Sequence, residues 1–141
     1  MTLRLKAKDI EFIYDDLDTN ALNFILRDGG HPGYFCFQAG VFLEEDEQLN
    51  EPYIEWNGQE NARSGGIEQI TFLPGSIQIQ FPADRPYLGK YGAVEIVPPA
   101  EVTREIVDFF NNYLYLGELT RYAPDFDLAK ICPPVAARDH L

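Results

Sequence analysis

The sequence predicts an α+β fold, in which a mainly antiparallel β-sheet of about six to seven strands carries one C-terminal amphipathic helix. Apolar residues recur at every second position in several runs between residues 3 and 97, which is the side-chain period of a strand. Turn-forming pairs such as Asn57-Gly58 and Pro74-Gly75 separate these runs. From about Ala100 the period changes to that of a helix.

The clearest predicted element is a β-hairpin over residues 68–81. Between its two alternating runs, Pro74 presets φ for the first central position and Gly75 accepts the positive φ of a type II turn. Upstream, a strand over residues 53–57 ends in Asn57-Gly58, the pair best suited to a type I′ turn. The polar residues 59–66 then predict a loop or a bulged strand.

The first strand is predicted over residues 3–14 and continues across a bulge. Its exposed face carries three basic residues, Arg4, Lys6 and Lys8. Because edge strands use such charges to block sheet extension, we expect this strand at an edge. The acidic residues 15–20 match only the start of a calcium loop, since Ala21 stands where that loop needs Gly. We therefore expect an ordinary Asx-rich turn between strands.

Residues 34–41 are apolar on both faces, which is typical of a central strand covered on both sides or of a strand at an oligomer contact. Cys36 lies in this run and is expected to be a buried core thiol. Cys132 is far away in sequence and the chain has only two histidines, so no zinc site is predicted.

The helix is predicted from about Ala100 to Gly117, a residue type that commonly ends helices. Its apolar face consists of Val102, Ile106, Phe109, Phe110 and Tyr113. Tyr115 falls on the polar side, so we expect it to be loosely packed or available to a partner. We interpret residues 1–116 as one domain and residues 117–141 as a C-terminal extension, partly packed and with a frayed end.

Composition narrows the class of function. Eleven basic and 23 acidic residues give a formal charge of −12 and a pI near 4.4, so nucleic acids and anionic membranes are not expected partners. Such acidity is typical either of a soluble surface or of a protein that attracts a basic partner. The chain has neither an apolar run of about 18 residues nor a signal peptide, and we expect it to be cytoplasmic.

Catalytic motifs are missing from the sequence: it contains no GxSxG, no HExxH and no phosphate loop. The chain is therefore expected not to be an enzyme and to use neither a cofactor nor a metal. Two other hypotheses stay open. One is a small-ligand-binding or enzymatic domain with a pocket between sheet and helix, and the other is an acidic homo-oligomer with a structural role.

The densest charge lies just before the central strands, in Glu44, Glu45, Asp46, Glu47 and Glu51. Such a segment is either a solvated loop or a contact patch for a basic partner, and the sequence alone allows both interpretations.

Four motifs carry a resemblance to a known family. They are Tyr53-Ile54-Glu55, Asn57-Gly58-Gln59, Ser64 with Gly65-Gly66-Ile67, and the hairpin over residues 70–79. In this pattern the chain resembles the bacterial immunity proteins of the Immunity protein 10 family. The resemblance spans residues 3–114 and is closest over residues 53–81, whereas residues 82–91 and 117–141 depart from the pattern.

The resemblance implies an immunity protein, which neutralises a cognate toxin of a polymorphic toxin system by stoichiometric binding. The toxin is expected to be basic, a nuclease being one hypothesis, and no catalytic residue carries over. Interfaces of this kind bury aromatic anchors ringed by charge. The candidate anchors are Tyr53 and Tyr115, with Glu44, Glu45, Asp46, Glu47 and Glu51 as the rim. Trp56 lies on the opposite face of the strand from Tyr53, and we expect it in the core.

Overall fold

The computed structural model describes residues 1–28, 31–41 and 51–130, which form one mainly antiparallel sheet and one short helix. The strands are β1 (Thr2–Asp16), β2 (Thr19–Asp28), β3 (His31–Gly40), β4 (Tyr53–Trp56), β5 (Arg63–Ser64), β6 (Gln69–Leu73), β7 (Ser76–Gln80), β8 (Ala93–Val97) and β9 (Thr120–Tyr122). They follow the order β5-β4-β3-β2-β1-β8-β7-β6-β9. The pairings β1–β8 and β6–β9 are parallel and the other pairings are antiparallel.

The sheet has nine strands among the described residues, so the predicted number of six to seven is wrong. The two additional strands are β5, with two residues, in the segment predicted to be a loop or a bulged strand, and β9, with three. Side-chain alternation cannot be recognised over so few residues, because a period of two needs a longer run to stand out.

Strand β1 lies in the middle of the sheet, so the prediction of an edge strand is wrong. Its first residues, Thr2 to Lys6, pair in parallel with β8, and its later residues pair with β2. The predicted bulge is confirmed by a register shift between Ala7 and Asp9. The basic side chains are exposed on one face, and Arg4 forms an ion pair with Glu95 at 3.2 Å. The residues that pair with β8 and those that pair with β2 do not overlap, so β1 is central in the strand order although Arg4 and Lys6 pair with β8 alone.

The hairpin formed by β6 and β7 is confirmed, with Leu73 opposite Ser76 across a two-residue loop. Its inner face is fully buried and consists of Ile70, Phe72, Ile77 and Ile79. The predicted type II turn is wrong, because Gly75 does not adopt the positive φ that such a turn requires.

The connection from β4 to β5 also differs from the predicted type I′ turn. Asn57 has a φ of 54°, but Gly58 has φ 136° and ψ 154°, far from the second position of that turn. A 3₁₀ turn, Gln59–Asn61, follows before β5 begins. The side chain of Asn57 instead accepts a 2.8 Å hydrogen bond from the Tyr34 amide and so ties this loop to β3.

The helix is shorter than predicted. It consists of α1, Arg104–Asp108, and a π-helical turn, Phe109–Tyr113, in which the Leu114 amide donates to the Phe109 carbonyl at 2.9 Å. The wider turn rotates the later side chains, because a π turn contains one residue more than an α turn. Tyr113 is therefore 38 % exposed, while Leu114 is buried. The helix ends before Tyr115, which has a φ of 58°, and not at Gly117 as predicted.

One core joins both halves of the sheet to the helix. Phe110 packs on Phe37 of β3 and Phe72 of β6, with ring centroids 5.0 and 5.5 Å apart. Tyr87, from the connection over residues 82–91 that departs from the family pattern, is fully buried between Phe35 and Phe81. Burial raises the pKa of the Tyr87 hydroxyl. This connection is therefore part of the core.

Residues 117–130 continue along the sheet. Strand β9 pairs with β6, and Phe126 is buried against Phe72. The frayed end, predicted over residues 133–141, lies outside the described residues, which end at residue 130. Within the part of the chain that the structure describes, no helix is long and apolar enough to cross a membrane.

Candidate partner-binding site

The candidate site lies on the outer face of strands β1 to β4, opposite the core. Successive side chains of a strand point to opposite faces, so Phe35 and Phe37 of β3 enter the core while Tyr34, Cys36 and Gln38 point outward. The register of β3 and β4 places Glu55 directly opposite Cys36.

These outward side chains surround a shallow depression with a volume of about 270 Å³, which we call the Glu55 pocket. It is lined by Ile13, Ala21, Asn23, Tyr34, Cys36, Gln38 and Glu55. Ala21 and Cys36 are short side chains and are only 8 % and 7 % exposed. The pocket forms because these two short side chains lie among longer neighbours on the same face.

The carboxylate of Glu55 is held by two tyrosines. The Tyr34 hydroxyl donates a hydrogen bond to Oε2 of Glu55, and the Tyr53 hydroxyl donates one to Oε1. These bonds hold the pKa of Glu55 below its usual range, and they raise the pKa of Tyr53 to about 12 and that of Tyr34 above its ordinary value. Glu55 is therefore ionised at neutral pH while both hydroxyls remain protonated.

The side chains that the structure describes, which do not include those of Arg27 and His31, form two ion pairs, Arg4 with Glu95 and Arg104 with Asp108. Glu55 is in neither pair. Among these side chains, its negative charge is stabilised by the two hydroxyl groups.

Asn23 adds an unsatisfied acceptor to the same pocket. Its Nδ2 donates to Glu11 at 3.4 Å, but its Oδ1 is buried and has no hydrogen-bond partner among the residues that the structure describes. A buried carbonyl oxygen without a donor is costly, so rotation of the Asn23 side chain toward a ligand that brings an N–H group would be favoured.

Cys36 is buried, as predicted, but at the floor of the outer face and not in the core. Burial raises the pKa of its thiol, and the side-chain amide of Gln38 lies 3.6 Å from Sγ. The thiol is therefore protonated at neutral pH and poorly nucleophilic, because the thiolate is the reactive form.

The contact residues predicted from the sequence fall into three groups. Glu44, Glu45, Asp46 and Glu47 lie outside the described residues. Glu51 is exposed. Its carboxylate packs so closely on Gly65 that the Cβ atom of any larger residue at position 65 would lie only 1.9 Å from Oε2 of Glu51. Tyr53 bonds to Glu55 beside the pocket, and Trp56 packs on the core as predicted.

Tyr115 is partly buried against the core, and its hydroxyl donates to the Val41 carbonyl at 2.9 Å. It is not among the residues that line the Glu55 pocket, so the structure brings Tyr53 but not Tyr115 to this site. Their roles in binding a partner stay predictions.

Sequence reasoning missed the central residue of the pocket. Glu55 lies in the first motif of the resemblance and points outward beside Tyr53, so strand alternation could have identified it. Tyr34 and Asn23 come from other strands, and only the pairing register reveals that they approach Glu55.

Within residues 1–28, 31–41 and 51–130, no group of three or more His, Cys, Asp or Glu side chains could hold a metal ion. Comparisons with protein-family models, with curated proteins and with solved structures give no match. The function is therefore argued from the geometry of the Glu55 pocket and from the sequence motifs.

Proposed function

We propose that this chain is a bacterial immunity protein that neutralises a cognate toxin in the cytoplasm by stoichiometric binding. The observation that supports this most is the ionised carboxylate of Glu55, framed by two tyrosine hydroxyls in an open pocket on a strongly acidic protein. Tyrosine is enriched where proteins bind one another, and buried charges at interfaces select a partner of opposite sign.

The chemistry of the pocket favours binding over catalysis. A general base works best when its pKa lies near the operating pH, whereas the two hydroxyls lower the pKa of Glu55. The only thiol in the pocket, Cys36, is held in its protonated form by burial. The side chains of this site therefore hold a fixed charge and are poorly suited to moving a proton.

The partner that fits is a basic protein. A charge of −12 attracts a basic toxin over several ångströms and accelerates encounter, while specific contacts determine how long the complex lasts. A nuclease is one class of such toxin, since its substrate is a polyanion. We place Tyr53 at the centre of the contact surface, with Tyr115 as a second anchor and the acidic residues Glu44, Glu45, Asp46, Glu47 and Glu51 as its rim.

The other two hypotheses have less support. A ligand pocket between sheet and helix needs space where Phe110 contacts Phe37 and Phe72. Self-association through the outer face of β3 would bring the Glu55 carboxylates of two copies into one interface, where like charges repel. No observation on the described residues favours either hypothesis.

The proposal predicts that a gene next to that of this chain encodes a large secreted protein with a C-terminal toxin domain, and it is tested by co-expression of this chain with that domain. We expect cells to survive, and we expect a 1:1 complex that elutes as one species and dissociates more readily at high salt. Charge reversal of residues 44–47 should slow association. Cell death at matched expression, with no complex on a sizing column, would contradict the proposal.

A further inference from the structure

We infer that the Glu55 pocket is a receptor for one arginine side chain of the protein partner. The inference rests on the proposed function for the source of that arginine. Four features of the pocket carry it: the acceptor sites left on Glu55, the buried carbonyl of Asn23, the aromatic rings, and the apolar wall.

The two oxygens of Glu55 are equally used. Oε1 accepts one hydrogen bond from Tyr53 and Oε2 accepts one from Tyr34. An ionised carboxylate has about four acceptor sites, two on each oxygen, so one site remains on each. A guanidinium group donates two parallel N–H bonds to the two oxygens of a carboxylate, and this requires the one acceptor site that remains on each oxygen.

The rest of the lining suits the other parts of an arginine. A guanidinium has five N–H donors, so a group bound to Glu55 still has donors for the unsatisfied Oδ1 of Asn23, which is shielded in this structure and is reached only when the Asn23 side chain rotates toward the pocket. Ile13 and Ala21 offer apolar contact to the methylene stem, and the ring of Tyr34 offers a surface on which the planar group can stack.

Other ligands fit less well. A lysine ammonium is a compact, strongly hydrated charge that cannot form the parallel pair of bonds. A divalent cation needs more carboxylate ligands than the single one in this pocket. An anion would meet the charge of Glu55. The pocket therefore selects for both the charge and the planar shape of a guanidinium.

The test is an NMR titration of the intact chain with N-acetyl-arginine amide, monitored through backbone amide shifts. The neutral isostere N-acetyl-citrulline amide and N-acetyl-lysine amide are the comparison ligands. We expect arginine to shift the amides of Cys36 and Glu55 saturably, and to bind at least about tenfold more tightly than citrulline or lysine. Glu55→Gln should weaken arginine binding by about tenfold or more, and Glu101→Gln, at an exposed carboxylate elsewhere, should leave it unchanged.

Equal shifts with arginine and citrulline, equal affinity for arginine and lysine, or shifts confined to another surface would each overturn the inference. The ligand comparison uses the unmodified protein, so it decides the question even if Glu55→Gln fails to fold. Because the titration contains no toxin, a negative result with intact protection would refute the arginine receptor alone. Arginine binding without protection would refute the immunity function alone.

Discussion

At the scale of single residues, the chemistry of the outer face depends on how one carboxylate is kept charged. Tyr53 and Tyr34 each donate to a different oxygen of Glu55, so either hydroxyl can be removed while the other remains. Hydrogen bonds to the charged form lower the pKa of a carboxyl group, and the same bonds disfavour ionisation of the donors. The two tyrosines therefore have a measurable effect that does not require the partner.

Tyr53→Phe is expected to raise the pKa of Glu55 towards its ordinary value of about 4.3. The bond is lost when Glu55 is protonated in acid or when Tyr53 ionises near pH 12. The unfolding free energy of the wild type should therefore exceed that of the variant by about 1 kcal/mol between about pH 5 and 10. This difference should become smaller below and above that range. Carboxyl NMR shifts and urea unfolding at several pH values measure both effects, with Tyr113→Phe, at a partly exposed tyrosine of the helix, as the control. An unchanged Glu55 pKa in Tyr53→Phe would contradict this account.

Part of the site could be predicted at this scale. Strand alternation places Tyr53 and Trp56 on opposite faces, and Trp56 does pack on the core. The surroundings of Glu55 could not be predicted, because Tyr34 and Asn23 come to line the same pocket only through the pairing of β2, β3 and β4. Residues far apart in sequence meet through register, which no local pattern records.

At the scale of elements, local signals were reliable where a segment determines its own structure. The β6–β7 hairpin is such a case, because both strands alternate and a Pro-Gly pair separates them. Strand β9 and the π turn of Phe109–Tyr113 are the opposite case. The three residues of β9 form a strand only because they pair with β6. The period of an α-helix predicts the wrong position for Tyr113, because the π turn is wider than an α turn.

The turn between β1 and β2 is predicted to be strained. Asp16 pairs with Thr19, and the two residues between them, Leu17 and Asp18, have φ values of 51° and 63°. A left-handed conformation costs a residue with a Cβ about 1 kcal/mol, and Leu17 is 92 % exposed, so its side chain gains little in return. Leu17→Gly should therefore stabilise the fold by about 0.5–1 kcal/mol in thermal unfolding. Glu68→Gly, at an exposed residue without positive φ, should destabilise it, and the same loss in Leu17→Gly would contradict the prediction.

The connection between β7 and β8 is expected to contribute strongly to stability through Tyr87. Its buried hydroxyl donates to the Asn61 carbonyl at 2.5 Å, and its ring packs on Phe35 and Phe81. Tyr87→Phe should cost about 1–2 kcal/mol for the lost hydrogen bond. Tyr87→Ala should cost about 3–5 kcal/mol because it also leaves a cavity. Urea unfolding measures both, and equal stabilities of the two variants would show that the ring does not support the core.

At the scale of the whole molecule, the two faces of the sheet have different roles. Its inner face, the helix and Tyr87 form the core, while the outer face of β1 to β4 carries the Glu55 pocket. The overall class, a mainly antiparallel sheet with a helix, follows from sequence periodicity. The central place of β1 does not, because it pairs on one side with the neighbouring strand β2 but on the other with β8, whose residues lie about 90 positions away in sequence.

The charge of −12 belongs to the molecule as a whole and should act on the rate of encounter with the toxin. Raising the salt concentration from about 0.02 to 0.3 M should lower the association rate constant by about tenfold, because screening shortens the range of attraction. The dissociation rate should change much less. Stopped-flow fluorescence measures both constants, and an association rate independent of salt would argue against electrostatic steering.

The affinity of the complex between the toxin and the Glu55→Gln variant tests the central claim most directly. This change keeps the shape of the side chain and removes its charge, so an arginine of the toxin would lose its ionic partner. We predict a dissociation constant at least about thirtyfold higher than that of the wild type, mainly through faster dissociation, with Glu101→Gln unchanged. Equal affinity of wild type and Glu55→Gln would show that the toxin does not bind through this pocket.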